Sequence, residues 1–122
     1  MPFLMIAAAA LVTIPSSETC IDVPQDGAPQ QVFVLERTFP VGGGSGWHTH
    51  EGVEIAHVVS GTTEMRLADG TVMRFKAGET AVIPRGAVHE GVNAGDEPAR
   101  LVLTYVIDKG SPLRTPAPAP QP

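Results

Sequence analysis

The 122-residue sequence has little of several residue types that usually define a class of protein. Its single cysteine, Cys20, cannot form an internal disulfide, and aromatic residues make up only 5% of the chain. Eight lysines and arginines stand against thirteen acidic residues, which gives a formal net charge of -5. Phosphate binding needs clustered basic side chains, and these eight are scattered, so no nucleic-acid partner is expected.

No apolar run is long enough to span a bilayer. The run from Phe3 to Ile14 has the length of the apolar part of a secretory signal peptide, but no lysine or arginine precedes it. Residues 1–20 are therefore either a cleaved signal peptide or an apolar segment that packs on the domain or on a partner. The first alternative predicts a periplasmic or secreted protein, and the second predicts a cytoplasmic one.

The chain after residue 20 has no sustained helical period. Short segments rich in Val, Ile, Leu, Thr and Phe alternate with Gly, Pro, Asp and Asn, which predicts an all-β fold. Gly61 and the pair Asp69-Gly70 mark tight reversals. Many short strands with such turns favour a sandwich or barrel. The predicted strands cover residues 31–39, 46–50, 53–59, 62–67, 71–75, 80–83, 88–92 and 99–107.

The two ends of the chain differ from this central part. Residues 109–122 contain five prolines and are predicted to be an extended, largely unpacked Pro-rich tail. The folded domain is then expected to span residues 28–108. One small domain of this size has a thin stability margin, so a bound metal would add appreciably to its folding energy.

Three of the four histidines stand with a glutamate at metal-ligand spacing: His48, His50, Glu54 and, further on, His89. Side chains alternate across a strand, so His48 and His50 project from the same face. Glu54 follows a turn around Gly52 and is expected to return on the adjacent strand, with His89 closing the site from a strand paired across the barrel. Imidazole with carboxylate suits a divalent transition metal (Fe, Mn, Ni, Cu or Zn) and leaves room for water or substrate.

The residues around this group resemble a known family. The first motif of the cupin superfamily has a glycine, His-x-His, a glutamate and a second glycine at fixed spacing. The matching residues in this sequence are Gly42, His48, His50, Glu54 and Gly61.

The second cupin motif is also present. This motif has a glycine, Pro-x-Gly, a histidine and an asparagine, and the matching residues are Gly78, Pro84, Gly86, His89 and Asn93. The resemblance covers residues 42–93 and implies a small antiparallel jelly-roll (double-stranded β-helix) barrel with a ligand pocket. It implies His48, His50, Glu54 and His89 as metal ligands.

Catalysis without redox chemistry would need a positioned acid or base. Glu51, beside His50, and Tyr105, on the last strand, are the candidates. The pocket is expected to be apolar and to take a small, partly hydrophobic molecule. Its candidate lining residues are Met65, Leu67, Val82, Leu101 and Leu103, and the candidate anchors for a substrate carboxylate are Arg37, Arg66 and Arg85.

The fourth histidine, His57, is three positions from Glu54, so alternation sends it to the opposite face, with Ile55 and Val59. An apolar outer face of this kind suits subunit pairing, and a homodimer is expected.

Two functions remain open from the sequence. The first is a metal-dependent enzyme, oxygenase-like or lyase-like, acting on a small organic acid or phenol. The second is a noncatalytic module that binds or senses a metal or small ligand. Fold alone does not choose between them.

Overall fold

The computed structural model describes residues 29–122, and this range contains nine β-strands and no helix. The predicted all-β class is confirmed, and no helix able to cross a membrane occurs among these residues. The segment proposed as a signal peptide, residues 1–20, lies outside the described range. The strands are β1 (Gln30–Phe39), β2 (His48–Thr49), β3 (Gly52–Ser60), β4 (Thr62–Leu67), β5 (Val72–Lys76), β6 (Thr80–Ile83), β7 (His89–Asn93), β8 (Ala99–Asp108) and β9 (Thr115–Pro116).

The strands form two antiparallel sheets that enclose one core. The first sheet has the order β1-β8-β3-β6 and the second has the order β5-β4-β7-β2-β9. Consecutive strands repeatedly cross between the sheets, which is the arrangement of a jelly roll. The predicted jelly-roll fold is confirmed, with two sheets that stay distinct rather than a closed barrel.

Strand β8 shows why the sequence folds in this way. Its side chains alternate between the interior and the surface, so Leu101, Leu103, Tyr105 and Ile107 are all at most 5% exposed. Burying an aliphatic side chain of this size stabilises the fold by roughly 1.5–3 kcal/mol. Because β8 lies between β1 and β3 and pairs with both, it is one of the two interior strands of the first sheet.

The predicted reversals are present. Gly61 has a φ of 83°, and a Cβ there would lie 2.8 Å from the Cα of Ala99, so only glycine fits. In the turn between β4 and β5, the Asp69 carboxylate accepts a hydrogen bond from the Thr71 backbone N–H at 2.8 Å, and Gly70 has a φ of 95°. These turns set the register of the strands that follow them.

The prediction of a largely unpacked C-terminal tail was wrong for residues 113–117, whereas residues 118–122 are exposed. Thr115 and Pro116 form β9, which pairs with β2, and the Ala117 N–H donates to the Trp47 carbonyl at 3.0 Å. Leu113 packs against the core. The proline-rich chain is extended, as expected, but β2 is a short strand that offers unpaired backbone groups to an extended partner.

Candidate metal centre

The three predicted histidine ligands come together on the second sheet. His48 of β2 lies directly opposite His89 of β7 in the antiparallel register, and His50 follows β2 by one residue. The ring centroids of His48 and His50 are 4.7 Å apart, and those of His48 and His89 are 4.3 Å apart. The same-face prediction for His48 and His50 is therefore confirmed.

Glu54 completes the cluster from the other sheet. It lies on β3, which pairs with β6 and β8 and not with β2, so the expected return on an adjacent strand was wrong. Gly52 begins β3, and its backbone approaches Val106 so closely that a Cβ would collide with the carbonyl there. One nitrogen of each histidine and one oxygen of Glu54 all lie within 4.8 Å of one another, and the four residues are buried. The carboxylate thus faces the imidazoles across the interior.

Backbone carbonyls fix the orientation of all three imidazoles. The Nδ1–H groups of His48, His50 and His89 donate to the carbonyls of Gly46, Leu113 and Ala87 at 2.7, 2.6 and 2.8 Å, respectively. A carbonyl only accepts, so each Nδ1 carries the proton, and a neutral ring then has its lone pair on Nε2. This is the outer hydrogen bond that metal-binding histidines usually make.

The contacts within the cluster fit a cation. The Glu54 Oε1 lies 2.8 Å from the Nε2 of His50 and 3.1 Å from the Nε2 of His89. The His50 Nε2 is buried and has no hydrogen-bond partner among residues 29–122. An imidazole lone pair beside a carboxylate oxygen is repulsive unless a proton or a cation lies between them. A nitrogen-rich set of this kind suits a divalent transition metal.

The electrostatics favour the forms that bind metal. Burial lowers the pKa of His48 from 6.5 to about 4, so its imidazole is neutral at pH 7. Burial alone would raise the pKa of Glu54, but hydrogen bonds and charge from imidazoles of His50 and His89 that carry a proton on Nε2 hold it at about 2, so the carboxylate stays ionised whether a proton or a cation lies between these groups. An ionised carboxylate and a neutral imidazole are the ligand forms that a cation needs.

The cluster opens onto a cavity of about 60 Å³ between the two sheets. Met65, Leu101 and Leu103 line it as predicted, whereas Leu67 and Val82 do not. In β6 the alternation is offset by one residue from the expectation, so the neighbours of Val82, Ala81 and Ile83, are the buried ones. The walls are mainly apolar.

The two candidate acid-base residues have different positions. Tyr105 lines the cavity, 4.8 Å from His50 between ring centroids. Burial and then the Glu54 charge raise the pKa of the Tyr105 phenol, so it stays protonated and can donate a hydrogen bond. Glu51 lies outside the cavity lining, where its carboxylate is 3.8 Å from the Arg85 guanidinium and its side chain is 54% exposed. Glu51 therefore lies at the surface and not, as expected, near the cavity.

The three candidate anchors for a substrate carboxylate do not all lie at the cavity. Arg37 lines the cavity, whereas Arg66 and Arg85 pair with carboxylates elsewhere. Two further lining residues, Leu113 and Arg114, belong to the tail and were missed. The sequence contained a signal that Leu113 packs against the domain, because it is the single large apolar residue from 109 to 122.

His57 lies outside the cluster, as predicted. It is exposed on β3 and its Nδ1 makes a hydrogen bond with the Thr80 hydroxyl at 2.9 Å. On the same face, Ile55 is half-buried and Val59 is 40% exposed. Homodimer formation through this face stays a prediction.

Comparison with solved structures gives the same fold. An uncharacterized conserved protein with a double-stranded β-helix domain from Klebsiella pneumoniae is 25% identical, with a TM-score of 0.59, over 90% of this chain and 93% of that chain. A predicted oxalate decarboxylase from Thermotoga maritima is 24% identical, with a TM-score of 0.56, over 61% of this chain and 64% of that chain. The DMSP lyase DddQ from Ruegeria pomeroyi is 19% identical, with a TM-score of 0.63, over 70% of this chain and 43% of that chain.

The matched part of this chain thus spans less than two thirds of the decarboxylase and less than half of the lyase. Among curated proteins, no sequence matches this chain significantly. A sequence profile of the family described as "Cupin domain" matches residues 35–105, which is more than half of the chain and includes the four clustered residues. The chain therefore belongs to the cupin family.

Proposed function

We propose that this cupin binds one divalent transition metal through His48, His50, Glu54 and His89, and that it is a metal-dependent enzyme acting on a small organic acid or phenol. The observation that carries the proposal is the buried cluster, whose potential ligand atoms lie within 4.8 Å of one another beside a cavity. The type of reaction, oxygenase-like or lyase-like, follows from which metal is held.

A metal at this place would supply either a redox centre or a Lewis acid for a carbonyl or carboxylate group. The protein's own residues prepare the rest of the site. Three backbone carbonyls hold the imidazoles in one orientation, and the apolar walls exclude water from the cavity. Tyr105 presents a protonated phenol to whatever lies there.

The similar structures support an enzyme. Two of them are described as a predicted oxalate decarboxylase and a DMSP lyase. Their identity to this chain is low, so they support the proposal only as examples of the chemistry that this fold can carry.

The test is elemental analysis of protein purified without a metal-binding tag, followed by turnover assays on a panel of small organic acids and phenols. We expect about one divalent transition metal per chain, loss of metal in His50→Ala and His89→Ala, and retention in His57→Ala. The last variant is a matched control, because His57 is an exposed histidine on the same strand as Glu54. Metal-free wild-type protein would refute the metal centre, and metal-loaded protein without turnover would refute the enzyme.

A noncatalytic metal-binding or ligand-sensing module is the second candidate. It is favoured by the scarcity of acid-base groups. Besides the proposed ligands, the titratable groups that line the cavity among residues 29–122 are Tyr105, Arg37 and Arg114. Of these, only Tyr105 is suited to proton transfer, and its pKa is raised. Metal-dependent ligand binding without turnover would support this alternative.

A further inference from the structure

Two arginines reach the cavity from opposite sides. Arg37 comes from β1 of the first sheet, and Arg114 comes from the residue before β9, which is joined to the second sheet. Arg37 is exposed and Arg114 is half-buried, so both lie where the cavity meets solvent. The cavity is therefore apolar inside and positively charged at its opening.

These two arginines differ from the other arginines of residues 29–122. Each of the others has a carboxylate within 4.0 Å, and they are Arg66, Arg74, Arg85 and Arg100. In the described part of the chain, neither Arg37 nor Arg114 has an ion pair or a side-chain hydrogen bond. The Arg37 guanidinium carbon lies over the face of the Phe39 ring, 5.5 Å from its centroid. Their N–H donors are thus available to a ligand.

The charge balance of the cavity points to an anion. Within residues 29–122 the only carboxylate in the lining is Glu54, and it faces the imidazoles. A divalent cation there, with one carboxylate and two guanidiniums, leaves an excess of positive charge that a bound anion would neutralise. Partly desolvated charges gain most from such a partner, and the planar fork of arginine matches a carboxylate.

Cavity size and lining restrict the rest of the ligand. A volume of about 60 Å³ holds on the order of five water-sized groups, because each needs roughly 10–15 Å³. The walls facing this space include Leu35, Leu101 and Leu103. A short hydrocarbon chain is complementary to such walls, whereas a phosphate ion would leave them without a partner.

We propose that the cavity binds a short-chain organic carboxylate, with Arg114 and Arg37 as the residues that select the anion. The inference rests on the proposed metal centre, since it places the anion beside that cluster. Of the two ligand classes in the proposed function, this inference favours the small organic acid over the phenol.

The experiment measures binding to the full-length, metal-loaded protein by calorimetry, with butanoate as the probe. Butanamide tests the charge, acetate tests the apolar walls, and inorganic phosphate tests the competing anion. We expect butanoate to bind about tenfold more tightly than acetate, because two further methylene groups are buried. We also expect Arg114→Gln and Arg37→Gln each to weaken butanoate binding, by about tenfold for Arg114, and to leave butanamide binding unchanged.

Matched controls separate charge from folding. Arg74→Gln removes an exposed arginine outside the cavity lining and should bind butanoate like the wild type. Arg114→Lys keeps the charge and should retain more affinity than Arg114→Gln. If one glutamine variant fails to fold, the other still gives the measurement.

Three results would overturn the anion site. They are equal binding of butanoate and butanamide by the wild type, unchanged butanoate binding in the folded glutamine variants, or tighter binding of phosphate than of butanoate. Elemental analysis of the same samples shows independently whether the metal is present. Protein without metal refutes the metal centre and, with it, this inference; metal-loaded protein that fails only the arginine test refutes the anion site alone.

Discussion

The two sheets of this protein support the same site in different ways. The first sheet has long strands, with 10, 9 and 10 residues in β1, β3 and β8, and it provides Glu54 and Tyr105. The second sheet provides the histidines, and its strands β2 and β9 have only two residues each. Glu54 sits on a strand that is paired on both sides, whereas His48 lies on a strand held by one short pairing on each side.

The two halves of the site are therefore held differently: strand pairing positions the carboxylate, and individual hydrogen bonds position the imidazoles. The carboxylate is placed by continuous strand pairing and by the apolar core behind it. The imidazoles depend more on individual hydrogen bonds, and the acceptor for His50 lies 63 residues away in the C-terminal segment. We therefore expect the first sheet to dominate folding stability and the second sheet to dominate metal affinity.

A core substitution in the first sheet should have the largest effect. Leu103→Ala removes a side chain that is 4% exposed and should lower the free energy of unfolding by about 3 kcal/mol, through lost burial and a new cavity. Leu67→Ala, at a half-buried position in the second sheet, should cost less than half as much. Denaturant titration of the metal-free protein measures both, and equal losses would contradict the difference between the sheets.

Removal of the C-terminal segment should act mainly on the metal. Deletion of residues 111–122 removes β9 and the Leu113 carbonyl that accepts from His50, so metal affinity should fall by about 10–100-fold. Deletion of residues 118–122 alone keeps both and is the matched control. Competition with a chelator measures the affinities. Wild-type affinity in the longer deletion would show that the second sheet needs no such support.

Acidification should weaken the metal-free protein. The pKa of His48 is about 4 in the fold against an ordinary 6.5, so between these values the unfolded chain binds a proton that the folded chain does not. Stability present above pH 6.5 is therefore lost as the pH falls towards 4, by about 2 kcal/mol. The low pKa of Glu54, about 2 against 4.5, extends the loss to lower pH.

Thermal melts of chelator-treated protein between pH 7.5 and pH 4 give this measurement. His48→Gln should flatten the profile between pH 6.5 and pH 4, while His57→Ala should keep the wild-type shape. A profile in His48→Gln as steep as that of the wild type would contradict the assignment to His48.

The smallest effect is expected where a surface pair links the loop before β7 to the end of β8. Arg85 makes two hydrogen bonds to the Asp108 carboxylate, at 2.8 and 2.9 Å, with both side chains partly exposed. Such a pair contributes little, so Arg85→Gln should lower the free energy of unfolding by far less than Leu103→Ala does, and by still less in high salt. Denaturant titration at two salt concentrations checks this, and a loss comparable to that of Leu103→Ala would contradict it.

Local rules predicted those features that depend on neighbours in sequence. The His-x-His spacing gave the common face of His48 and His50, because alternation in a strand does not depend on the rest of the fold. The turn at Asp69-Gly70 followed in the same way from the backbone preferences of glycine. The offset of one residue in β6 shows the limit, since a short apolar run does not state which of its faces is buried.

Contacts between distant segments were not predictable in this way. Glu54 was expected beside the histidines within one sheet, yet it meets them across the interior, because the chain crosses to the other sheet between β2 and β3. The sequence likewise offered Glu51 and Tyr105 as equal candidates, and only the fold placed Tyr105 at the cavity and Glu51 on the surface. The packing of the tail depends on the open edge of β2, which no local pattern of the tail describes.

The sequence alone determined the β class, the turns and the four residues of the candidate metal centre, because each follows from local geometry or from motif spacing. Only the tertiary structure decided which groups surround that centre: the carbonyl of Leu113, the phenol of Tyr105, and the guanidiniums of Arg37 and Arg114. The physical reason is that the spacing within each motif fixes which residues its strands carry, whereas the walls of a cavity are made where separate parts of the chain pack together.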